Sequence, residues 1–114
     1  MLFIEYPKCS TCRKAKEYLQ CRNVKFQDRN IVIDNPSKEE LKMWINKSNK
    51  NINKFFNTSG LKYRELGLKD RLKEMNYEEK IELLSSDGML VKRPILVCEN
   101  KVLVGFKVSE WDNI

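Results

Sequence analysis

Apolar and polar positions divide the chain into short, readable segments. Residues 2–6, Leu-Phe-Ile-Glu-Tyr, form a brief apolar run that predicts a buried first strand. Ala15, Tyr18 and Leu19 then recur at helical spacing, which predicts a helix over about 11–22 with Ser10 as its cap and Asn23 as its stop. Val24 to Arg29 alternates with period two and predicts a second strand. Strand, helix and strand in this order make a right-handed βαβ unit with parallel strands. Ser37 and Glu40 stand at capping-box spacing ahead of a stripe formed by Leu41, Trp44 and Ile45, so a helix is expected there. Residues 46–54, rich in Asn and Lys, read as a connection. Phe55-Phe56 is an apolar anchor followed by an Asn57-Thr58-Ser59-Gly60 turn. Charged helical patterns run from Leu61 to Met75 with an interruption at Gly67. A further helix is expected over Tyr77–Ser86, with Ile81, Leu83 and Leu84 apolar, and Asp87-Gly88 marks a turn. Pro94–Cys98 and Val102–Val104 are β-type runs joined by Glu99-Asn100-Lys101, a short hairpin closed by Gly105. Val108–Ile114 reads as a short last helix with Trp111 packed inward. The order is β-α-β, a helical block, then β-β-α, an α/β chain.

Composition narrows this picture. The chain has 114 residues, 41% of them hydrophobic, which suits one domain (1–114) with one modest core. No apolar run approaches the roughly 20 residues that span a bilayer, so no membrane association is expected. Glu5 and the lack of a basic leader argue against a secretory signal. Four cysteines in a small secreted chain would suggest a disulfide framework, but these features favour a cytoplasmic setting. There a C-x-x-C is normally catalytic, redox-sensing or metal-binding. The net charge of +6 fits either a well-solvated surface or an anionic partner, such as an oxyanion, glutathione or an acidic protein surface. The densest basic cluster, Arg13-Lys14-Ala15-Lys16, is too thin a footprint for duplex DNA, so no direct nucleic-acid binding is expected. Histidine is absent. That removes Ser-His-Asp and Cys-His pairs, His-ligated zinc and imidazole acid–base chemistry.

The chemistry concentrates at Cys9 and Cys12, just after the first strand and at the start of the first helix. A helix N-terminus offers unpaired N–H groups and a partial positive charge, and both favour thiolate over thiol. Cys9 is expected to be the exposed attacker. Cys12, one turn into the helix on the same face, is placed to resolve a mixed disulfide on Cys9. Two incidental cysteines at a buried turn, or a zinc site drawing in Cys21 and Cys98, are the competing readings; paired knuckles would be the usual zinc pattern. No metal is expected. Arg93-Pro94 is either a strand-edge proline or a cis proline facing the dithiol, with Arg93 near Cys9 to lower its pKa and hold an oxyanion. Arg13 opposes the helix dipole, a mild local conflict that makes it a candidate for substrate binding. Cys21 and Cys98 are expected to be packing thiols. Tyr63 and Arg64 lie in the helical block with no local sign of a role.

Together these residues resemble the glutaredoxin-type arsenate reductase family, which also contains the Spx-type redox-sensing regulators. The resemblance covers nearly the whole chain. It rests on Tyr6-Pro7-Lys8-Cys9-Ser10-Thr11-Cys12-Arg13-Lys14, on Tyr63-Arg64-Glu65-Leu66-Gly67-Leu68, and on Lys92-Arg93-Pro94-Ile95-Leu96-Val97 with Val104-Gly105-Phe106. It implies a thioredoxin-like βαβ-ββα sheet with an inserted helical segment at about 37–90. It also implies a cis peptide before Pro94 and a nucleophilic Cys9. The reductases look to use a single nucleophilic cysteine with glutathione and glutaredoxin; this chain adds Cys12, as the Spx-type members do. Of three arginines that surround the oxyanion in the reductases, Arg93 matches one. The others fall near Asn57 and near Gly105 to Lys107, where no arginine stands. Lys107 or Arg64 is a nearby substitute, although a lysine lacks the bidentate fork.

The resulting expectation is a thiol–disulfide oxidoreductase acting on a small oxyanion or a disulfide, arsenate among them. It would work as a monomer, without a bound cofactor, reset by a redox partner protein or thiol such as glutathione/glutaredoxin or thioredoxin. The alternative from the same resemblance is a redox-switched regulator that binds RNA polymerase.

Overall fold

A computed structural model describes all residues, Met1–Ile114. Its strands are β1 (Leu2–Glu5), β2 (Gln27–Asn30), β3 (Ile95–Val97) and β4 (Val102–Val104). Its helices are α1 (Ser10–Cys21), α2 (Lys38–Ser48), α3 (Leu61–Glu65), α4 (Leu68–Arg71), α5 (Tyr77–Ser86) and α6 (Val108–Trp111). The four strands form one sheet in the order β2-β1-β3-β4. β1 runs parallel to β2 and antiparallel to β3, and β3 and β4 form the expected antiparallel hairpin. The helices α2 to α5 lie between β2 and β3 in the chain, where the helical insertion was expected. No helix is long and apolar enough to cross a membrane.

Strand alternation sorts the core into two layers. Phe3 points to one face and packs with Ala15, Leu19, Leu96, Leu103 and Trp111 under α1 and α6. Ile4 points to the other face and joins Trp44, Phe55, Phe56, Leu68, Ile81 and Leu84 from the insertion. By the same alternation Glu5 returns to the α1 face, where it is only 3% exposed. The capping box of Ser37 and Glu40 forms as expected. Gly67 sits at φ +64, a left-handed turn between α3 and α4 that explains the interruption.

Four local expectations need correction. β2 begins at Gln27, because residues 22–24 finish α1: Val24 N–H donates to Leu19 O at 3.0 Å and Asn23 adopts φ 56. Phe26 is apolar because its ring packs edge-on against Phe3 with centroids 5.3 Å apart. The connection at 46–54 is largely ordered: α2 continues to Ser48, and a 3-10 turn over Ile52–Phe55 buries Ile52 and Phe55. The turn at Asp87-Gly88 opens a 3-10 turn, Gly88–Leu90, whose glycine lies so close to Ile31 that an added Cβ would be 1.9 Å from the Ile31 carbonyl oxygen. The last helix stops at Trp111, three residues before the end of the expected one, with the Trp111 ring fully buried and its Nε1–H donating to Gly105 O at 3.1 Å.

Candidate active site

The loop between β1 and α1 places the two thiols. Cys9, not Ser10, is the N-cap of α1, with extended backbone at φ −87 and ψ 123. Its N–H donates to Tyr6 O at 2.9 Å, and its carbonyl accepts from Arg13 N–H at 3.1 Å. No side-chain oxygen caps the helix. The Cys12 N–H instead faces the Cys9 sulfur, so the sulfur takes the position an N-cap oxygen would hold. Ser10 is left as an exposed first helical residue.

The two thiols are driven in opposite directions. Burial works against the Cys9 thiolate, but the Cys12 N–H, the Cys12 thiol and the Arg93 guanidinium outweigh it and hold the Cys9 pKa below its ordinary value. Cys12 is fully buried. That burial, reinforced by the neighbouring Cys9 and opposed by the Tyr6 N–H, pushes Cys12 up to about 12. The pair therefore sets an accessible sulfur favoured as thiolate in front of a buried one favoured as thiol.

Arg93 stands across from Cys9 at the start of β3, half-buried, with its guanidinium 5.0 Å from the centre of the Tyr6 ring. Its Nε and Nη1 are buried and meet no acceptor in the protein. The Arg93–Pro94 peptide is cis, and the buried Pro94 gives its carbonyl to Gly105 N–H at 2.8 Å.

Cys9 and Arg93 line a cavity of about 580 Å³. Its wall brings together Lys50, Lys54, Lys92, Arg93 and Lys107 and includes no carboxylate residue. The polar segment Asn57–Gly60 closes one side, and Gly105–Lys107 closes another. Asn57 is 8% exposed, and its side-chain oxygen accepts from the Ser59 hydroxyl at 3.4 Å. The two positions that lack a family arginine thus do converge on the cavity, with an amide at one and Lys107 beside the other. Lys50 is paired with Glu110 at 2.9 Å; Lys54, Lys92 and Lys107 form no ion pair.

Arg13 does not reach this cavity: it is exposed on the outer face of α1, about 100° round the helix from the buried Cys12. Arg64 is likewise absent from the wall, and Tyr63 packs against the larger core. Cys21 is exposed at the end of α1 rather than packed. Cys98 is half-buried at the end of β3, and burial raises its pKa. No three His, Cys, Asp or Glu side chains gather in a way that could hold a metal.

Lys50, Lys54 and Lys92 escaped the sequence reading, since nothing in their spacing distinguishes them from solvated lysines. Glu5 escaped as well. Its carboxylate bonds Lys16 at 3.1 Å, and Lys16 reaches Asp28 at 2.5 Å. A lone acid in an apolar run followed by a lysine four positions beyond Cys12 was the available signal.

Comparison with known proteins agrees with this architecture. The ArsC family model matches residues 4–114. The uncharacterised protein YusI of Bacillus subtilis is 50% identical over 98% of this chain and 95% of its own. The regulatory protein MgsR of the same organism is 32% identical over 96% of this chain and 86% of its own. A crystal structure of a protein described as related to the ArsC family, from Bacteroides fragilis, superposes with a TM-score of 0.97 at 54% identity, covering 98% of this chain and 94% of that one. That of a possible arsenate reductase from Streptococcus mutans superposes with a TM-score of 0.88 at 43% identity, covering 97% and 96%. The fold is the thioredoxin-like α/β arrangement of these neighbours.

Proposed function

The chain belongs to the ArsC family, and from that premise we propose that it is a thiol–disulfide oxidoreductase with Cys9 as nucleophile and Cys12 as resolving thiol. The observation that carries this reading is the opposed environment of the two sulfurs, Cys9 lining the basic cavity and Cys12 buried behind it. The Cys9 thiolate attacks one sulfur of a disulfide, forming a mixed disulfide and releasing the first thiolate. Cys12 then attacks the Cys9 sulfur, releasing the second thiolate and leaving a Cys9–Cys12 disulfide. Two electrons have passed to the substrate. A thiol reductant of the glutathione/glutaredoxin or thioredoxin kind returns them, which places the cycle in a reducing, cytoplasmic setting. Arg93 stabilises the Cys9 thiolate and any anionic group bound beside it, and Pro94 fixes the backbone opposite the dithiol.

A disulfide is the better substrate for this site. Arsenate calls for bidentate donors on several sides, and only Arg93 offers that fork here. The test uses glutathione disulfide. The wild-type protein should end as an intramolecular disulfide with glutathione released, and Cys12→Ser should stop as a stable glutathione adduct on Cys9. Full turnover by Cys12→Ser would remove the dithiol mechanism.

The similarity to MgsR over nearly the whole chain favours one further reading. In it the Cys9–Cys12 disulfide switches a surface that binds RNA polymerase. Polymerase pull-down with the oxidised and the reduced protein separates the two: a regulator binds in one state more than the other, whereas an enzyme binds in neither and turns over substrate.

A further inference from the structure

Four lysines line the cavity with Arg93, and one of them is held differently from the rest. We infer that Lys92 takes an anionic arm of the substrate, so that the site selects small disulfides whose arms end in carboxylates. This inference deepens the oxidoreductase reading above and rests on it.

The backbone fixes Lys92 first. Asn57 N–H donates to Leu90 O at 2.8 Å, Val91 bridges Phe56, and Lys92 N–H donates to Phe55 O at 2.7 Å. Three consecutive residues are thus tied antiparallel to the insertion, directly ahead of Arg93. The side chain then reaches the Gly105 wall. A Cβ built on Gly105 would lie 3.3 Å from Lys92 Cε, so the aliphatic stem runs along the space that the missing side chain leaves. Gly105 sits at φ +74, a conformation that suits glycine, and its N–H donates to Pro94 O. The Lys92 ammonium, one bond beyond Cε, is therefore delivered beside Gly105.

The other cations of the wall are placed for other work. The Arg93 guanidinium faces the Cys9 sulfur, at the reacting atom. Lys50 is bound to Glu110 at 2.9 Å. Lys54 and Lys107 are exposed, where solvent and salt screen their charge. Lys92 is half-buried and forms no ion pair. No carboxylate residue in the wall competes with one on a ligand. An ammonium on a packed stem loses little further freedom when it binds, and a carboxylate against it makes a charge-assisted hydrogen bond. The cavity, at about 580 Å³, has room for a small organic disulfide. In the reaction the Cys9 thiolate attacks the near sulfur of that disulfide. The bond from Cys9 to this sulfur forms, the substrate S–S bond breaks, and its electron pair leaves on the departing thiolate. Lys92 holds the carboxylate of an arm and so sets which disulfide is presented to Cys9.

The test compares three disulfides with the same two-carbon arms: 3,3′-dithiodipropionate, bis(2-hydroxyethyl) disulfide and cystamine, which are dianionic, neutral and dicationic. Cys12→Ser is the background, so that each attack leaves one adduct on the Cys9 peptide, scored by mass. The readout is the rate on each charged disulfide divided by the rate on the neutral one, which cancels any change in the reactivity of Cys9 itself. Lys92→Gln should lower the dithiodipropionate ratio about tenfold, the scale of one charge-assisted contact, and raise the cystamine ratio. Lys92→Arg should keep both ratios. Lys25→Gln, which removes an exposed cation outside the cavity wall, should keep them too. Unchanged ratios in Lys92→Gln overturn the inference, and so does an equal fall in Lys25→Gln, which would show an effect of net charge alone. Adducts on Cys9 without charge selectivity in the parent protein remove the inference and leave the oxidoreductase reading standing. No adduct on Cys9 with any of the three removes both.

Discussion

Two nitrogens of the Arg93 guanidinium are buried without an acceptor in the protein. Leaving such donors unpaired costs free energy that a bound anion recovers. Arg93→Lys keeps the charge but loses the fork. It should weaken inhibition by small oxyanions and slow Cys9 alkylation at pH 6.5, because the guanidinium fork that favours the thiolate is gone. Competition by sulfate or phosphate in the alkylation assay reads both effects. Glu40 shows the opposite side of the same electrostatics. Its two oxygens bond Arg29 at 2.6 and 2.9 Å, and that pairing, with the Ser37 N–H, lowers its pKa to about 2. Its stabilising effect is present above the ordinary carboxylate value and is lost as pH falls through about 2. Glu40→Gln should cost about 2 kcal/mol at pH 7, a gap that closes towards pH 2 in urea titrations. Glu5 has the reverse sign. With its pKa raised to about 7, its folded form loses stability as pH rises from the ordinary carboxylate range through 7. Glu5→Gln should therefore match wild type near pH 4 and exceed it at pH 8.

At the scale of elements, sequence patterns worked where a local motif fixes the backbone. The Ser37–Glu40 capping box opens α2 at Lys38 as read, and a Ser37→Ala change should cost about 1 kcal/mol in thermal melts; α5 opens at Tyr77 on an Asn76–Glu79 box that the structure adds. The patterns misled where tertiary contacts take over. The Val24 and Phe26 alternation looks like a strand, but it serves the end of α1 and the Phe3 ring, while β2 itself is the polar Gln-Asp-Arg-Asn. Gly88 read as a turn glycine, yet its real constraint is the backbone of Ile31 pressed against it. Gly88→Ala must separate two backbone segments, so its cost should exceed that of Ser37→Ala and approach 3 kcal/mol.

At the scale of the molecule, the order of elements and the inward Trp111 were legible, because apolar periodicity reports burial directly. The cavity was legible only in part. Cys9, Arg93 and Pro94 carry local signals, but Lys50, Lys54 and Lys92 reach the site from two separate stretches that only the folded chain brings together. Arg13 shows the converse: next to Cys12 in sequence, it lies outside the cavity because helical rotation turns it to solvent. The sequence charge of +6 gains a location from the fold, since five cations and no carboxylate residue line the wall around Cys9. The central claim is that the fold divides labour between two thiols, one accessible and favoured as thiolate, the other buried and favoured as thiol. The most direct test is the alkylation rate of each cysteine against pH, resolved by peptide mapping of the reduced protein. The account expects Cys9 to react with an inflection below the ordinary thiol range of about 8.5, and Cys12 to stay unmodified until far more alkaline pH. Equal reactivity of the two, or Cys12 reacting first, would contradict it.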